Sequence, residues 1–128
     1  TVGKIQDALN QHSKALKGSR VLILGAAYKA DIDDLRESPA LDIIHLLRQK
    51  GASVSYHDPY IKSVAHNDWR LSCVEDYLSA VGEADCVVIV TNHKAYDYEA
   101  ILKNATLIVD TRNALGNKGQ GNPKVIRL

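Results

Sequence analysis

A buried strand, a long loop and a helix follow one another early in the chain and constrain its fold most. The unbroken apolar run from Val21 to Leu24, closed by Gly25, is typical of a strand that is buried on both faces of a sheet. Ser38 and Pro39 then predict a helix N-terminus, because serine caps this position well and proline loses no hydrogen bond there. Residues 26–37 lie between them, although strand-to-helix connections usually have about 2–6 residues. We therefore expect a strand–helix unit with an unusually long loop.

The long loop is rich in charge and ends at the predicted helix. A helix N-terminus favours anions, because its free N–H groups and its dipole both attract negative charge. The residues are compatible with a phosphate-binding loop, and a solvated surface loop explains them equally well. The charged members are Lys29, Asp31, Asp33, Asp34, Arg36 and Glu37.

Composition and charge exclude several classes of partner. The 128 residues suffice for one domain with a real core, and the net charge of +1 comes without a basic block, so we expect no nucleic acid partner. No apolar stretch approaches the ~20 residues that cross a bilayer, and no signal-peptide pattern occurs, so we expect no membrane association. Cys73 and Cys86 lack metal-ligand spacing and fit a reduced, cytoplasmic protein. The chain starts at Thr1 and contains no Met, so we expect a piece of a longer polypeptide.

The remaining elements alternate between helix and strand along the chain. This order predicts an α/β fold, with a mostly parallel sheet and helices on both faces. Residues 60–70 show no clear pattern. Predicted helices are Val2–Leu16, Pro39–Gln49 with Gly51 as its C-terminal cap, a short helix capped by Ser72 and ended by Gly82, and Tyr98–Lys103; predicted strands are Val21–Leu24, Ser53–His57, a short strand from Leu71, Cys86–Val90, Thr106–Val109 and Val125–Ile126.

The loops that leave three of these strands are expected to lie at one edge of the sheet. Right-handed crossovers make successive strands point the same way, so the carboxyl ends of Val21–Leu24, Cys86–Val90 and Thr106–Val109 meet. Ligands of open α/β sheets bind at this edge. Several cations brought together there suit an anionic ligand. The cationic candidates are Lys29, Arg36, His93, Lys94 and Arg112.

Motifs for a dinucleotide are missing from the strand-to-helix turn. Gly25 is followed by Ala26 and Ala27 rather than by a Gly-rich fingerprint, and no Walker-type loop occurs, so we do not expect NAD to bind this domain by itself in the usual way. Asp58 ends a strand, where a dinucleotide fold has its ribose-binding acid. It lies well beyond the usual ~20-residue spacing, however, and Pro59 follows it. We therefore predict that Asp58 serves the turn.

Other candidate residues have structural interpretations beside the functional ones. Arg112 could bind a phosphate through two hydrogen bonds, or form an ion pair that holds a neighbouring loop. His93 could meet a ligand, remain a surface group or brace its loop. His45 is predicted to be structural, and both cysteines are predicted to be unreactive because nothing near them favours a thiolate. A phosphoacceptor receiver domain is disfavoured, because Gly25-Ala26 and Thr91-Asn92 stand where that fold needs acids.

Several stretches together resemble one known family. The chain is similar to the carboxy-terminal, nucleotide-sugar-binding domain of the UDP-glucose/GDP-mannose dehydrogenase family. Within that family, the segment Tyr56–Tyr60 leans toward enzymes that act on UDP-N-acetylhexosamines. The stretches that carry the resemblance are Leu24–Lys29 with Asp31, Asp34–Ala40, Gly51-Ala52, Tyr56–Tyr60, Thr91–His93 and Val109–Asn113.

The resemblance implies a fold, an activity and a set of binding residues. It implies a Rossmann-like three-layer domain over residues 19–128, preceded by a helix in residues 1–18 that links to a missing domain. Members of the family oxidise the C6 alcohol of a UDP-sugar to a carboxylate in two NAD-dependent steps. An amino-terminal domain holds the NAD, a central region carries the catalytic cysteine, and the full-length enzyme is a homodimer or larger. The resemblance further implies that Tyr28, Lys29 and Arg112 contact the substrate and that Arg36 reaches the NAD.

This fragment is then expected to be inactive by itself, since the NAD fingerprint is missing and neither cysteine lies in the family's catalytic segment. We expect it to contain no catalytic residue and no metal site. The alternative is a stand-alone, non-catalytic domain that binds a nucleotide or serves as a regulatory or scaffold module. The gene upstream of Thr1 discriminates between the two. A Gly-x-Gly-x-x-Gly segment and a Gly-rich cysteine segment encoded there favour the enzyme, whereas an initiator immediately before Thr1 favours the alternative.

Overall fold

A parallel sheet forms the centre of the protein, whose computed structural model describes residues 2–27, 38–66 and 69–127. The sheet has five strands in the order β2-β1-β5-β6-β7, and every neighbouring pair is parallel. A separate antiparallel pair, β3 and β4, lies outside it. The strands are β1 Arg20–Leu24, β2 Ser53–His57, β3 Ser63–His66, β4 Trp69–Ser72, β5 Cys86–Ile89, β6 Ile108–Asp110 and β7 Val125–Arg127.

Helices cover both faces of the sheet, as the alternating pattern predicts. Val21 and Ile23 of β1 face one apolar cluster, which includes the buried residues of α1 and α2. Leu22 and Leu24 face a second cluster on the opposite side, which includes those of α3 and α4. The period of two along the strand therefore produces the three layers of the predicted α/β fold. The helices are α1 Val2–Gln11, α2 Pro39–Gln49, α3 Tyr77–Glu83 and α4 Tyr98–Asn104, and a short 3-10 helix spans Gly116–Gly119.

The register of the strands aligns their carboxyl ends. Leu24, the last residue of β1, lies opposite His57 of β2 and Ile89 of β5. Ile89 in turn lies opposite Asp110, the last residue of β6. The residues that follow these four strands consequently meet at one edge, which we call the carboxyl edge.

Local sequence signals explain several boundaries. The Ser38 side chain accepts a hydrogen bond from the Ala40 main chain, and Pro39 occupies the first turn of α2, as predicted. Beyond Gln49 the chain turns at Gly51, whose φ of +90° a glycine adopts without strain. Asp76 and Asp97 cap the N-termini of α3 and α4, where their carboxylates accept main-chain hydrogen bonds.

Some predicted boundaries were wrong. Helix α1 ends at Gln11 rather than continuing to Leu16, because the chain turns through Ser13 at a φ of +61°. Ser72 does not cap α3, because it pairs with Ser63 in β4, and α3 continues through Gly82. The patternless residues 60–70 contain β3 and the start of β4, which begins at Trp69 rather than at Leu71. Strand β2 has the predicted bounds, and one or both ends of β1, β5, β6 and β7 differ from the prediction by one or two residues.

The missed pair β3–β4 is held against α2. The Trp69 indole is 8% exposed, and its Nε1–H donates to Nδ1 of His45 at 3.2 Å. Arg48 of α2 stacks on the same indole, with its guanidinium carbon 5.5 Å from the ring centroid. His45 is therefore structural, as predicted.

Helix α1 packs on the same core as the sheet. Ile5, Ala8 and Leu9 are buried in the cluster that also contains Val21 and Ile23. Within the part of the chain that the structure describes, none of the helices has the length and apolar character that crossing a bilayer requires.

Candidate functional site

The exits of β1 and β5 touch at the carboxyl edge. Gly25 has a φ of +96°, and a Cβ atom there would lie 2.6 Å from Cβ of Thr91. The Thr91 hydroxyl donates to the Ala27 carbonyl at 2.8 Å. Gly25 is therefore required for this close approach of two loops, a role that differs from that of a dinucleotide-binding glycine.

Asp58 connects the exits of β1 and β2. Its Oδ2 accepts hydrogen bonds from the main-chain N–H groups of Ala26 at 2.7 Å and Ala27 at 3.1 Å. Its Oδ1 accepts from Tyr60 at 2.7 Å and Ile61 at 3.2 Å. The bonds to Tyr60 and Ile61 confirm the predicted turn, but the bonds to Ala26 and Ala27 are a second role that the sequence did not reveal. With only 3% of the residue exposed, Asp58 acts as a buried bracket between two loops.

The carboxylate of Asp58 occupies the place of an external anion. Consecutive main-chain N–H groups after the first strand are where a dinucleotide fold binds its pyrophosphate. Here the N–H groups of Ala26 and Ala27 are satisfied by an internal negative charge. The two oxygens of Asp58 also accept hydrogen bonds from Tyr60, Ile61 and His93, so they have no acceptor capacity left for a ribose hydroxyl. The exit of β1 therefore does not fit NAD in the usual way.

Asp58 remains charged in spite of its burial. Burial alone would raise the pKa of this carboxyl group, since it disfavours the charged form. Hydrogen bonds from His93, Ala26, Tyr60 and Ala27 outweigh burial and lower the pKa from 3.8 to about 2. A permanent negative charge thus lies beneath the carboxyl edge.

His93 is the side-chain partner of that charge. Its Nε2 lies 2.9 Å from Oδ2 of Asp58, and both side chains are fully buried. The Tyr98 hydroxyl donates to the His93 carbonyl at 3.2 Å, which fixes the main chain at the same point. Of the interpretations left open by the sequence, the structure supports the loop brace and excludes the surface group.

Aromatic side chains surround this pair, and sequence reasoning missed them. Tyr96 is 5% exposed, and its ring lies 5.8 Å from that of His93 and 5.5 Å from that of His57. Its hydroxyl donates to the His57 carbonyl at 2.9 Å. Burial, with a contribution from the charge of Asp58, raises the Tyr96 pKa. The sequence does show two tyrosines close together, Tyr96 and Tyr98, but nothing in it connects them with His57.

Arg112 lies at the same edge and faces outward. Its Nε donates to the Val90 carbonyl at 3.0 Å, so the guanidinium is mounted on the exit of β5. The described part of the chain provides neither a carboxylate for an ion pair nor an acceptor for its terminal Nη atoms. Among the described residues, the ion-pair interpretation of Arg112 therefore finds no support.

The loop that carries Arg112 has its own buried carboxylate. Asp110 is fully buried, and its Oδ1 accepts from the main-chain N–H groups of Arg112 at 3.1 Å and Ala114 at 3.0 Å. Its Oδ2 accepts from Leu115 at 3.0 Å. The Thr111 hydroxyl donates to the Ile89 carbonyl at 2.7 Å, which joins this loop to β5. The main chain at Arg112 is therefore fixed from both sides.

The remaining predicted site residues are Tyr28, Lys29 and Arg36, and they lie outside the described residues. The described residues that flank them are attached to the carboxyl edge. Ala27 is bound by Asp58 and Thr91, and the Ser38 hydroxyl donates to the Ala26 carbonyl.

Neither cysteine has the surroundings that favour a thiolate nucleophile. Burial raises the pKa of the Cys86 thiol to about 12, and burial also raises that of Cys73. Both are free thiols, and these shifts support the prediction that they are unreactive. Among the described residues, His, Cys, Asp and Glu side chains form no group of three or more that is placed to hold a metal ion.

Comparison with known proteins decides the family. Residues 22–117 match the model of the UDP-glucose/GDP-mannose dehydrogenase family, UDP binding domain. The chain belongs to this family. It is 36% identical over 107 residues to the UDP-N-acetyl-D-mannosamine dehydrogenase of Methanococcus vannielii, a match that covers 77% of the chain and 23% of the relative. It is 33% identical over 104 residues to the UDP-glucose 6-dehydrogenase of Rhizobium meliloti, covering 77% of the chain and 24% of the relative.

Solved structures of dehydrogenases share the fold of this UDP binding domain. The UDP-D-ManNAc dehydrogenase of Pyrococcus horikoshii superimposes with a TM-score of 0.78 and 27% identity, over 98% of this chain and 29% of the other. The resemblance noted in the sequence and the Rossmann-like fold are thus confirmed. The chain spans about a quarter of the length of the curated relatives it matches. Because these relatives include enzymes for two different sugars, the lean toward UDP-N-acetylhexosamines stays a prediction.

Proposed function

We propose that the chain is the UDP-sugar-binding domain of an NAD-dependent UDP-sugar 6-dehydrogenase. The whole enzyme would oxidise the C6 alcohol of the sugar to a carboxylate in two steps. The matching family model and the names of the relatives support this assignment. The domain would bind the nucleotide sugar, while another domain would hold the NAD and supply the catalytic cysteine. The chain alone would then be inactive.

The observation that carries the proposal is the mounting of Arg112. A UDP-sugar has a diphosphate, and the planar guanidinium of arginine binds phosphate oxygens through two parallel hydrogen bonds. Because Nε is already bonded to the Val90 carbonyl, the orientation of the group is set before a ligand arrives. The terminal Nη atoms can then meet the diphosphate with little loss of side-chain entropy.

The other roles rest on the resemblance to the family. Tyr28 and Lys29 would contact the substrate, with Lys29 as a second cation opposite the diphosphate. Arg36 would reach the NAD bound on the neighbouring domain. The geometry at β1 supports a division of labour between domains, since Asp58 occupies the N–H groups that a dinucleotide would need.

The location and assembly of the enzyme belong to the same proposal. Two free cysteines fit a reducing, cytoplasmic compartment. By resemblance, the full-length enzyme would be a homodimer or larger.

Steady-state kinetics of the full-length protein test the assignment of Arg112. Replacing Arg112 by alanine removes charge-assisted hydrogen bonds worth about 1.5–3 kcal/mol, so we expect KM for the UDP-sugar to rise by about 10–100-fold. Arg112→Lys keeps the charge but loses the paired geometry, so its KM should lie between those of the parent and the Arg112→Ala enzyme. A KM that Arg112→Ala leaves unchanged would contradict the assignment.

A further inference from the structure

We propose that Asp58 and His93 are positioning residues for Arg112, although no hydrogen bond joins either of them to it. The proposal rests on the proposed function, because it assumes that Arg112 binds the diphosphate of the substrate. The buried carboxylate–imidazole pair would hold the exit of β5, and the Val90 carbonyl on that exit would hold the guanidinium.

The first step of the argument is the rigidity of the pair. Asp58 cannot shift easily, because the main-chain N–H groups of Ala26, Ala27, Tyr60 and Ile61 hold both of its oxygens. His93 is bonded to it at 2.9 Å, with no exposed surface on either side chain. A buried, well-satisfied polar network of this kind has one arrangement rather than several.

The second step is the attachment of the β5 exit. Val90 is 1% exposed, and its N–H donates to the Leu24 carbonyl at 2.9 Å. Thr91 bonds to Ala27, and His93 bonds to Asp58, so side chains on both sides of Asn92 anchor this short segment. Removal of the bond to Asp58 would leave the Thr91 hydroxyl on Ala27 and the Tyr98 hydroxyl on the His93 carbonyl as hydrogen bonds that hold this segment.

The third step is the dependence of Arg112 on that segment. The bond from its Nε to the Val90 carbonyl, 3.0 Å long, sets the direction in which the terminal nitrogens point. A shift of the carbonyl therefore shifts the guanidinium, and misplacement by about 1 Å is enough to weaken binding or catalysis by about 100-fold in enzymes. A purely structural role for the pair would instead lower stability without changing substrate binding.

The experiment compares two replacements of His93 in the full-length enzyme. His93→Leu removes the bond to Asp58, and we expect KM for the UDP-sugar to rise by about tenfold while kcat changes by less than about twofold. His93→Gln keeps an N–H donor at a similar reach and should restore KM to within about threefold of the parent. If the leucine variant does not fold, His93→Asn replaces it, since its shorter amide cannot reach Asp58.

Leu107→Ala provides the matched control. Leu107 is 1% exposed and immediately precedes β6 at the opposite edge of the sheet. The Leu107→Ala substitution should lower the melting temperature without changing KM for the UDP-sugar. A His93→Leu enzyme that is merely less stable, with the parental KM, would overturn the proposal.

A double mutant separates this inference from the proposed function. In an Arg112→Ala background, His93→Leu should raise KM by less than about twofold, because coupled residues are not additive. Fully additive effects would overturn the positioning role while leaving the proposed function intact. If Arg112→Ala alone leaves KM unchanged, the proposed function fails, and the positioning inference fails with it.

Discussion

Replacement of Asp58 by asparagine offers a test of the carboxyl edge that needs no substrate. The carboxylate accepts four main-chain hydrogen bonds and one from His93. Asparagine presents one acceptor oxygen and one NH₂ group, so at least one pair of main-chain donors would face another donor. We expect Asp58→Asn to destabilise the chain strongly at neutral pH.

The magnitude follows from the pKa and from the unsatisfied donors. Lowering the pKa from 3.8 to about 2 means that the charged form of Asp58 stabilises the folded state by about 2 kcal/mol. Leaving buried main-chain donors unsatisfied costs about 1–3 kcal/mol. Because the two effects overlap, we expect a loss of about 3 kcal/mol at pH 7.

The loss should depend on pH in a definite direction. The pKa of Asp58 is lower in the folded state, so its contribution is complete above about pH 4 and decreases as the pH falls toward 2. The free-energy difference between parent and variant should therefore shrink by about 2 kcal/mol between pH 7 and pH 2. Other acids with lowered pKa values, such as Asp85, occur in both proteins and cancel in the comparison.

Urea unfolding at several pH values, followed by the fluorescence of the single tryptophan, measures both the loss of stability at pH 7 and its decrease at low pH. Asp97→Asn is the matched control, because it makes the same change at an exposed helix cap that asparagine also fills. It should change stability by less than about 0.5 kcal/mol. A small effect of Asp58→Asn, or a difference that does not shrink at low pH, would refute the reasoning.

Two further predictions concern the core and its edge. Gly25→Ala should lower the free energy of unfolding by more than about 2 kcal/mol, because its Cβ would meet Thr91 and its φ of +96° disfavours a side chain; a thermal melt within a degree of the parent would contradict this. Cys86, with a pKa of about 12 in the folded state, should resist alkylation at pH 8 until urea unfolds the chain. Labelling of Cys86 in the native protein at the rate of an exposed thiol would contradict this.

The sheet could be predicted from the sequence because its central strands are unbroken apolar runs. β1 and β5 are buried along nearly their whole length, and short apolar runs of this kind are typical of strands covered on both faces of a parallel sheet. Helix α2 was predicted with its observed bounds, since Ser38-Pro39 and Gly51 mark its two ends. The pair β3–β4 was missed because its strands are short and its packing depends on Trp69 meeting α2, a contact that no local pattern signals.

The bracket formed by Asp58 could be predicted only in part. Its bonds to Tyr60 and Ile61 are local, and the sequence Asp58-Pro59 predicts the turn that they stabilise. Its bonds to Ala26 and His93 join residues 32 and 35 positions away and depend on the register of Leu24 with His57 and Ile89. The predicted topology brought together the exits of β1, β5 and β6, whereas the part played by the β2 exit, which carries Asp58, and the contacts themselves required the structure.

The role of Arg112 in binding the diphosphate is the central claim, and calorimetric titration of the full-length protein with UDP tests it most directly. UDP carries the diphosphate without the sugar, so the measurement isolates the group that Arg112 would hold. The account predicts that Arg112→Ala weakens UDP binding by about 10–100-fold, the same range as the change in KM for the UDP-sugar. Equal UDP affinities for the parent and the Arg112→Ala protein would contradict it.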